Sequence, residues 1–340
     1  MTWFWSVEQL DQLGKYLSEH GLCGPTVTAS PIGDGHSNLT FLVSDGHSQV
    51  VVRRPPPPPL PPGAHDVLRE ATLLHALAET DVPTPRVLAT ASANELLDVP
   101  MFVMEFVDGT VITESTPATG DDVELRRYIG ESLVDTLAAL HTVPWRDVGL
   151  GDFGKPEGFN ARQLRRMRSL IEIDGSIPKP FAPLDEWLLS YAPPESATSI
   201  VHNDFRIGNM IVDLTTGCVA AVLDWELATI GDPLADLGYL LASWPVQGEP
   251  VVPTAAMATA VLEAGYPSRT ALLDRYADRT GADLSGLNWY AALAMYKLAA
   301  LYEYSGRRFD AGVGDPYYAD PAFVPAFLAA GERLAGDPIA

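Results

Sequence analysis

The sequence predicts an α+β protein of two lobes: an N-terminal antiparallel sheet with a helix, then a larger and mainly helical C-terminal part. Three observations carry this. A chain of 340 residues is long for one core and suits two. Its apolar residues fall into short strand-like runs as far as Val107, and from Asp121 onward the hydrophobic period changes to 3.6. Asp108-Gly109 stands between the two regimes, dividing the chain into 1–107 and 108–340.

The first lobe opens with an amphipathic helix from Ser6 to His20, its apolar face carrying Leu10, Leu13 and Leu17. Ser6 and Gln9 have capping-box spacing, and Gly21 stops the helix. Strands are expected over Val27–Ile32 and Leu39–Val43, flanking G-D-G-H-S-N at 33–38. Glycines between strands let backbone N–H groups approach phosphate oxygens, although hairpin turns favour the same residues. A third strand, Gln49–Arg53, ends in Arg53-Arg54. The run P-P-P-P-P-L-P-P-G at 55–63 reads as an extended spacer delivering the chain to a helix over Ala64–Glu79; the other reading is a ligand for a proline-binding module. Strands follow at Arg86–Ala91 and Pro100–Val107.

In the second lobe, helices are expected over Val123–His141, Phe159–Ile173 and Pro183–Tyr191. The second carries Arg162, Arg165, Arg166 and Arg168, either a solvated face or a stripe gripping an anionic acceptor. Further helices are expected over Thr254–Gly265, Arg269–Thr280, Trp289–Gly306 and Ala322–Leu334.

The chemistry concentrates between Ile200 and Leu240. Ile200-Val201 ends in His202, Asn203 and Asp204, and five residues later Asn209 opens the run Met210–Val212. A Thr-Thr-Gly turn at 215–217 leads into Val219–Leu223, which ends on Asp224. A hairpin of those two strands would bring Asn209 and Asp224 to one end, with Asp204 in the loop before it. Such oxygen ligands suit Mg²⁺, which takes one or two carboxylates plus substrate phosphates.

The pattern H-x-D-x-x-x-x-N followed by a strand ending in L-D-W resembles the aminoglycoside phosphotransferase family. It is most similar to the subgroup with H-G-D-[YF]-R-x-G-N and L-D-W-E-[LM]-A-x-x-G-D-P-x-x-D-L, related to the domain fused to acyl-CoA dehydrogenases. This chain departs once, with Asn203 where that pattern has Gly. The resemblance implies a protein-kinase-like fold with ATP (GTP is a second option) between a nucleotide-binding lobe, 1–107, and a catalytic and acceptor-binding lobe, 108–340. It implies that Asp204 is the base towards the acceptor hydroxyl and that Asn209 and Asp224 hold Mg²⁺, with Glu226 as an outer-shell contact. Arg53 takes the place of the phosphate-gripping Lys and Glu70 is its partner. Gly35, Ser37 and Asn38 lie in the nucleotide-flanking loop, and Glu105 to Val107 form the adenine-reading crossing. His202 is read as structural, Asp232 as a helix cap, and Asp236 as a hydrogen-bond acceptor for the catalytic-loop backbone.

The reaction expected is transfer of a γ-phosphoryl group to a small-molecule hydroxyl, of either an antibiotic or a hydroxyacyl-CoA type. A nucleotide-binding pseudokinase or scaffold using the proline run is the alternative from another class. Net charge is −22, which argues against nucleic acid and anionic membranes as partners. Two separated cysteines, Cys23 and Cys218, and an N-terminus without signal-peptide character predict a cytoplasmic protein. No run of eighteen apolar residues occurs, and no P-loop, H-E-x-x-H, G-x-S-x-G or dinucleotide fingerprint.

Overall fold

A computed structural model describes residues 5–33, 38–56, 66–120 and 122–336. The chain divides into two compact units, Met1–Asp108 with Ala220–Glu226, and Gly109–Val219 with Leu227–Ala340. Much of the proline run, 57–63, lies outside the described residues.

The first unit begins with α1 (Val7–Glu19). Both halves of its capping box are formed: Gln9 N–H donates to Ser6 Oγ at 3.1 Å and Ser6 N–H to Gln9 Oε1 at 3.0 Å. Strands β1 (Thr28–Pro31), β2 (Leu39–Ser44) and β3 (Gln49–Arg54) follow, then α2 (Val67–Leu77), β4 (Val87–Ala91) and β5 (Met101–Glu105). They form one antiparallel sheet in the order β1-β2-β3-β5-β4. Alternation sends Phe41, Val43, Val50, Val52, Met101 and Val103 into a core shared with Leu13 and Leu17 of α1. Each fully buried side chain of this kind contributes about 1.5–3 kcal/mol. The Tyr16 hydroxyl ties α1 to β4 through Thr90 O at 2.9 Å.

In the second unit, β6 (Thr110–Val111) pairs antiparallel with β8 (Met210–Val212), and β7 (Ser199–Val201) with β10 (Thr229–Gly231). Between β8 and β9 (Val219–Val222) the chain turns at Asp213–Cys218, where Gly217 takes φ 76°. The remainder is helical: α3 (Val123–Thr142), α4 (Phe159–Ile171), α5 (Ala182–Ser190), α6 (Leu234–Ala242), α7 (Arg269–Thr280), α8 (Leu287–Asp310) and α9 (Phe323–Gly336). Helix α8 is the hub, packed by α4, α5, α6 and α9. Gly238 permits the α6 contact, since a Cβ there would lie 2.7 Å from Ala291 N. The α+β class and the antiparallel N-terminal sheet are as the sequence predicts.

One helix is corrected. Thr254–Gly265, expected as α-helix, is a 3-10 segment over Pro253–Leu262 broken at Ala258, whose φ of −135° is not helical. Its apolar residues lie on no single face, so packing rather than amphipathic periodicity shapes it. Ends elsewhere shift by a few residues; the helix expected from Ala64 starts at Val67, where Asp66 accepts from Arg69 N–H at 3.0 Å.

Candidate active site

In the first unit the last turns of the sheet gather charge around Arg53. As the cross-strand neighbour of Thr40, it donates from Nη1 to Thr40 Oγ1 at 3.2 Å. Its Nε meets Glu70 Oε2 at 2.9 Å and its Nη2 meets Asp224 Oδ1 at 2.7 Å, while Glu226 Oε2 lies 3.8 Å away. The first turn of α2 places Glu70, and Asp66 caps that turn. Segment 220–226 supplies the other two carboxylates. There Trp225, buried, donates from Nε1 to Val222 O at 2.9 Å and fixes the turn, and Asp224 takes φ 64°. Asp tolerates this left-handed conformation better than most residues, at a cost of order 1–3 kcal/mol.

One guanidinium thus serves three carboxylates. Glu70, 4% exposed, has its pKa pushed up to about 7, chiefly by burial and also by Asp224 and Glu226, against the opposing pull of Arg53. Arg53 is held above its ordinary value because these three carboxylates outweigh the effect of its burial.

In the second unit His202–Asn209 forms a loop closed on itself. Asn209 Nδ2 donates to Asp204 O and to Asp204 Oδ2, both at 2.8 Å, leaving its own Oδ1 as an acceptor. Asp236, fully buried on the first turn of α6, accepts from His202 N–H and Asn203 N–H, each at 2.6 Å. His141 Nε2 lies 3.3 Å from the same carboxylate, and its Nδ1 lies 2.7 Å from the Tyr276 hydroxyl. Burial would raise the pKa of Asp236, but the His141 bond, the nearby imidazoles and the backbone donor hold it below its ordinary value. His202 has a structural place, its Nδ1 accepting from Asp204 N–H at 3.2 Å. Asp232 accepts from Leu234 N–H at 3.0 Å, and also from Ser196 and Tyr290.

The expected site residues therefore fall into two groups. Arg53, Glu70 and Asp224 are brought together, and Asn38 joins them by donating from Nδ2 to Glu226 Oε2 at 3.1 Å. Asp204 and Asn209 are brought together in the second unit. Glu105 ends β5 with its N–H on Arg86 O at 3.0 Å and its carboxylate on Arg86 Nε at 2.9 Å; Val107 lies in the following loop. Gly35 and Ser37 lie outside the described residues.

The family model of the "Phosphotransferase enzyme family" matches residues 28–273, which take in both groups. The chain belongs to this family. A candidate aminoglycoside phosphotransferase from Ralstonia eutropha JMP134 is 30% identical, with 95% of this chain and 97% of that one covered at a TM-score of 0.78. Aminoglycoside phosphotransferase APH(4)-Ia, solved as a ternary complex with AMP-PNP and hygromycin B, shares the fold at TM-score 0.60 and 15% identity over 96% of this chain and 99% of that one. Mouse acyl-CoA dehydrogenase family member 10 is 30% identical over 301 residues, 86% of this chain. The chain spans 28% of the length of that relative. The α+β architecture is thus the kinase-like one of the phosphotransferases.

Sequence reasoning missed several residues around Asp204. Tyr239, on α6 and 7% exposed, has its pKa driven well above the ordinary value by burial and by the negative charge of Asp204. Arg206 Nε approaches Asp204 Oδ1 to 3.7 Å. Lys297, on α8, donates to Asn203 Oδ1 at 3.3 Å. A signal existed for Lys297, which is a single cation within the apolar stretch L-A-M-Y-K-L-A-A-L. Tyr239 carried none, since a tyrosine in an apolar helix reads as core.

Proposed function

We propose that this chain transfers the γ-phosphoryl group of ATP to a hydroxyl group of a small molecule. The observation that carries the reading is the Asp204–Asn209 loop: an acidic side chain oriented by an amide and supported from beneath by Asp236. Asp204 accepts a hydrogen bond from the acceptor hydroxyl and aligns its oxygen with the γ-phosphorus. As the new O–P bond forms, the bond from γ-phosphorus to the bridging oxygen of ADP breaks. The hydroxyl proton passes late to Asp204, and the products are ADP and a phosphate monoester.

Mg²⁺ is the ion this chemistry calls for, and the residues fit it. The donors are hard oxygens, and Arg53 alone does not balance the carboxylates of Asp224 and Glu226, even with Glu70 protonated. Among the described residues no group of three or more His, Cys, Asp or Glu could hold an ion by itself. Mg²⁺ takes one or two protein carboxylates, with phosphate oxygens and water completing its shell. Asp224 and Asn209 would hold it, and when bound it neutralises charge on the phosphates. Arg53, oriented by Glu70, grips further phosphate oxygens. Asn38, in the loop before β2, contributes to phosphate binding. We read Glu105 to Val107 as the adenine-facing crossing and residues 1–107 and 108–340 as the functional lobes.

For the acceptor, the similarity to a candidate aminoglycoside phosphotransferase supports an antibiotic-type hydroxyl, and that to an acyl-CoA dehydrogenase family member supports a hydroxyacyl-CoA type. Calorimetric titration of ATP and GTP, with and without Mg²⁺, into wild type and Asp224→Ala tests the nucleotide half. Mg²⁺-dependent binding confined to wild type is expected. Failure of both nucleotides to bind wild type would sink the proposal.

A further inference from the structure

Asp204 stands in cationic surroundings. The Arg206 guanidinium, its side chain 17% exposed, has five N–H donors, and its close carboxylate among the described residues is Asp204 Oδ1 at 3.7 Å, beyond hydrogen-bond distance. Lys297 is part-buried, with three N–H donors and one hydrogen bond among the described residues. That bond, at 3.3 Å, goes to the neutral amide oxygen of Asn203. The nearby carboxylate Asp236 is occupied by His202 N–H, Asn203 N–H and His141. Exposed Arg166 adds a repelling positive charge to Lys297.

Desolvating an ammonium is unfavourable unless an anion and hydrogen bonds compensate, and here neither is supplied in full. Burial pushes the Lys297 pKa down to about 8, with Arg166 acting in the same direction and Asp236 and Asp204 opposing. A purely structural lysine would be expected to meet a carboxylate, and the chain has 44 acidic residues from which to provide one. Instead, among the described residues, two cations with spare donors stand at the Asp204 loop, Arg206 at 3.7 Å from its carboxylate and Lys297 on the neighbouring Asn203.

We propose that Lys297 and Arg206 form an anion-recognition site beside Asp204, so that the acceptor is a hydroxy compound carrying a carboxylate or phosphate group close to its reacting hydroxyl. This rests on the phosphotransferase reading above and narrows its acceptor. A polycationic alcohol would bring ammonium groups against Lys297, Arg206 and Arg166 and would be disfavoured by like-charge repulsion. The Asn203 amide holds Lys297 in place until the anion arrives, and Asn203 is itself fixed by donating from Nδ2 to Leu227 O at 2.9 Å.

The test measures binding and label transfer from γ-³²P-ATP with Mg²⁺. The acceptors are hydroxybutyrates and glycerol 3-phosphate, their uncharged counterparts hydroxybutyramide and glycerol, and the polycation kanamycin. Wild type is expected to bind and phosphorylate an anionic member at least tenfold better, by kcat/KM, than its uncharged partner. The hydroxy acids and glycerol 3-phosphate separate carboxylate from phosphate recognition. Lys297→Gln should raise KM for the anion about tenfold, lower kcat by less, and shrink the preference over the uncharged partner; Lys297→Arg should restore part of it. A lysine that merely supports the fold would not move that charge preference. Equal or better use of glycerol, hydroxybutyramide or kanamycin by wild type overturns the proposal while phosphotransfer stands. So does failure of every anionic member to bind wild type that binds Mg·ATP. Loss of Mg·ATP binding itself would instead remove the phosphotransferase reading underneath.

Discussion

Around Arg53, one cation is shared by Glu70, Asp224 and Glu226; at the Asp204 loop, Arg206 approaches the carboxylate and Lys297 bonds the neighbouring Asn203. The two clusters differ in charge balance. The first is short of positive charge and, in the proposed reading, would take a cation that meets phosphate. The second, where Arg206 and Lys297 keep spare donors among the described residues, would in the proposed reading take an anion. A net charge of −22 describes neither, because charge acts through local geometry at these distances. The two clusters also differ in how they are held. Arg53 is positioned by its ligands, whereas the Asp204 loop is positioned from below by Asp236.

The largest effects should come from removing the central carboxylate of each cluster. Asp224→Ala should abolish both phosphotransfer and Mg²⁺-dependent nucleotide binding. Asp204→Ala should cut kcat by roughly 10²–10⁴-fold while nucleotide affinity stays within about threefold. Steady-state kinetics beside calorimetry separate these outcomes, and equal loss of nucleotide binding in both variants would erase the distinction drawn here.

Next comes the support of the loop. Asp236→Ala leaves the N–H groups of His202 and Asn203 buried without their acceptor, which should cost on the order of 3–5 kcal/mol and lower the Tm of the second unit. A Tm unchanged within a degree would show that the loop holds without it.

Glu70 sharpens the contrast through pH. Its folded pKa, pushed up to about 7, lies above its ordinary value of 4.5, so the folded state binds the proton more tightly. Its contribution to stability is full below about pH 4.5 and declines as pH rises towards 7, by at most about 1.4 kcal/mol per pH unit. Denaturant unfolding from pH 4.5 to 8 should show that decline in wild type, and Glu70→Gln should remove it. Asp236, depressed by its partners, acts in the opposite sense and loses its contribution only as pH falls below the ordinary carboxylate range.

The smallest effect is expected of Asn203→Gly. Asn203 takes φ 66°, where glycine is unstrained, but its amide bonds to Leu227 O and Lys297. Strain relief and lost hydrogen bonds should nearly cancel, leaving stability within about 1 kcal/mol. A larger loss, read by denaturant unfolding, would show that the Lys297 tether is structural.

Much of this protein was legible in its residues. Alternating runs placed the N-terminal strands because a half-buried strand must repeat every second residue. Ser6 and Gln9 marked a helix start because a capping box is a local hydrogen-bond pattern. Asp236 could be expected under the loop because the motif carries it a fixed distance along the chain. Where no local pattern exists the reading lapsed: Pro253–Leu262 bends to fit its neighbours, and Tyr239 looked like any core aromatic.

What the sequence by itself determined is the set of chemical groups and the family, because the spacing H-x-D-x-x-x-x-N and L-D-W-E survives as a string. What only the tertiary structure decided is the company those groups keep. Lys297 lies 94 positions from Asn203 and Glu226 lies 188 from Asn38. Charge balance, burial and pKa depend on such distant neighbours, and chain order does not encode them.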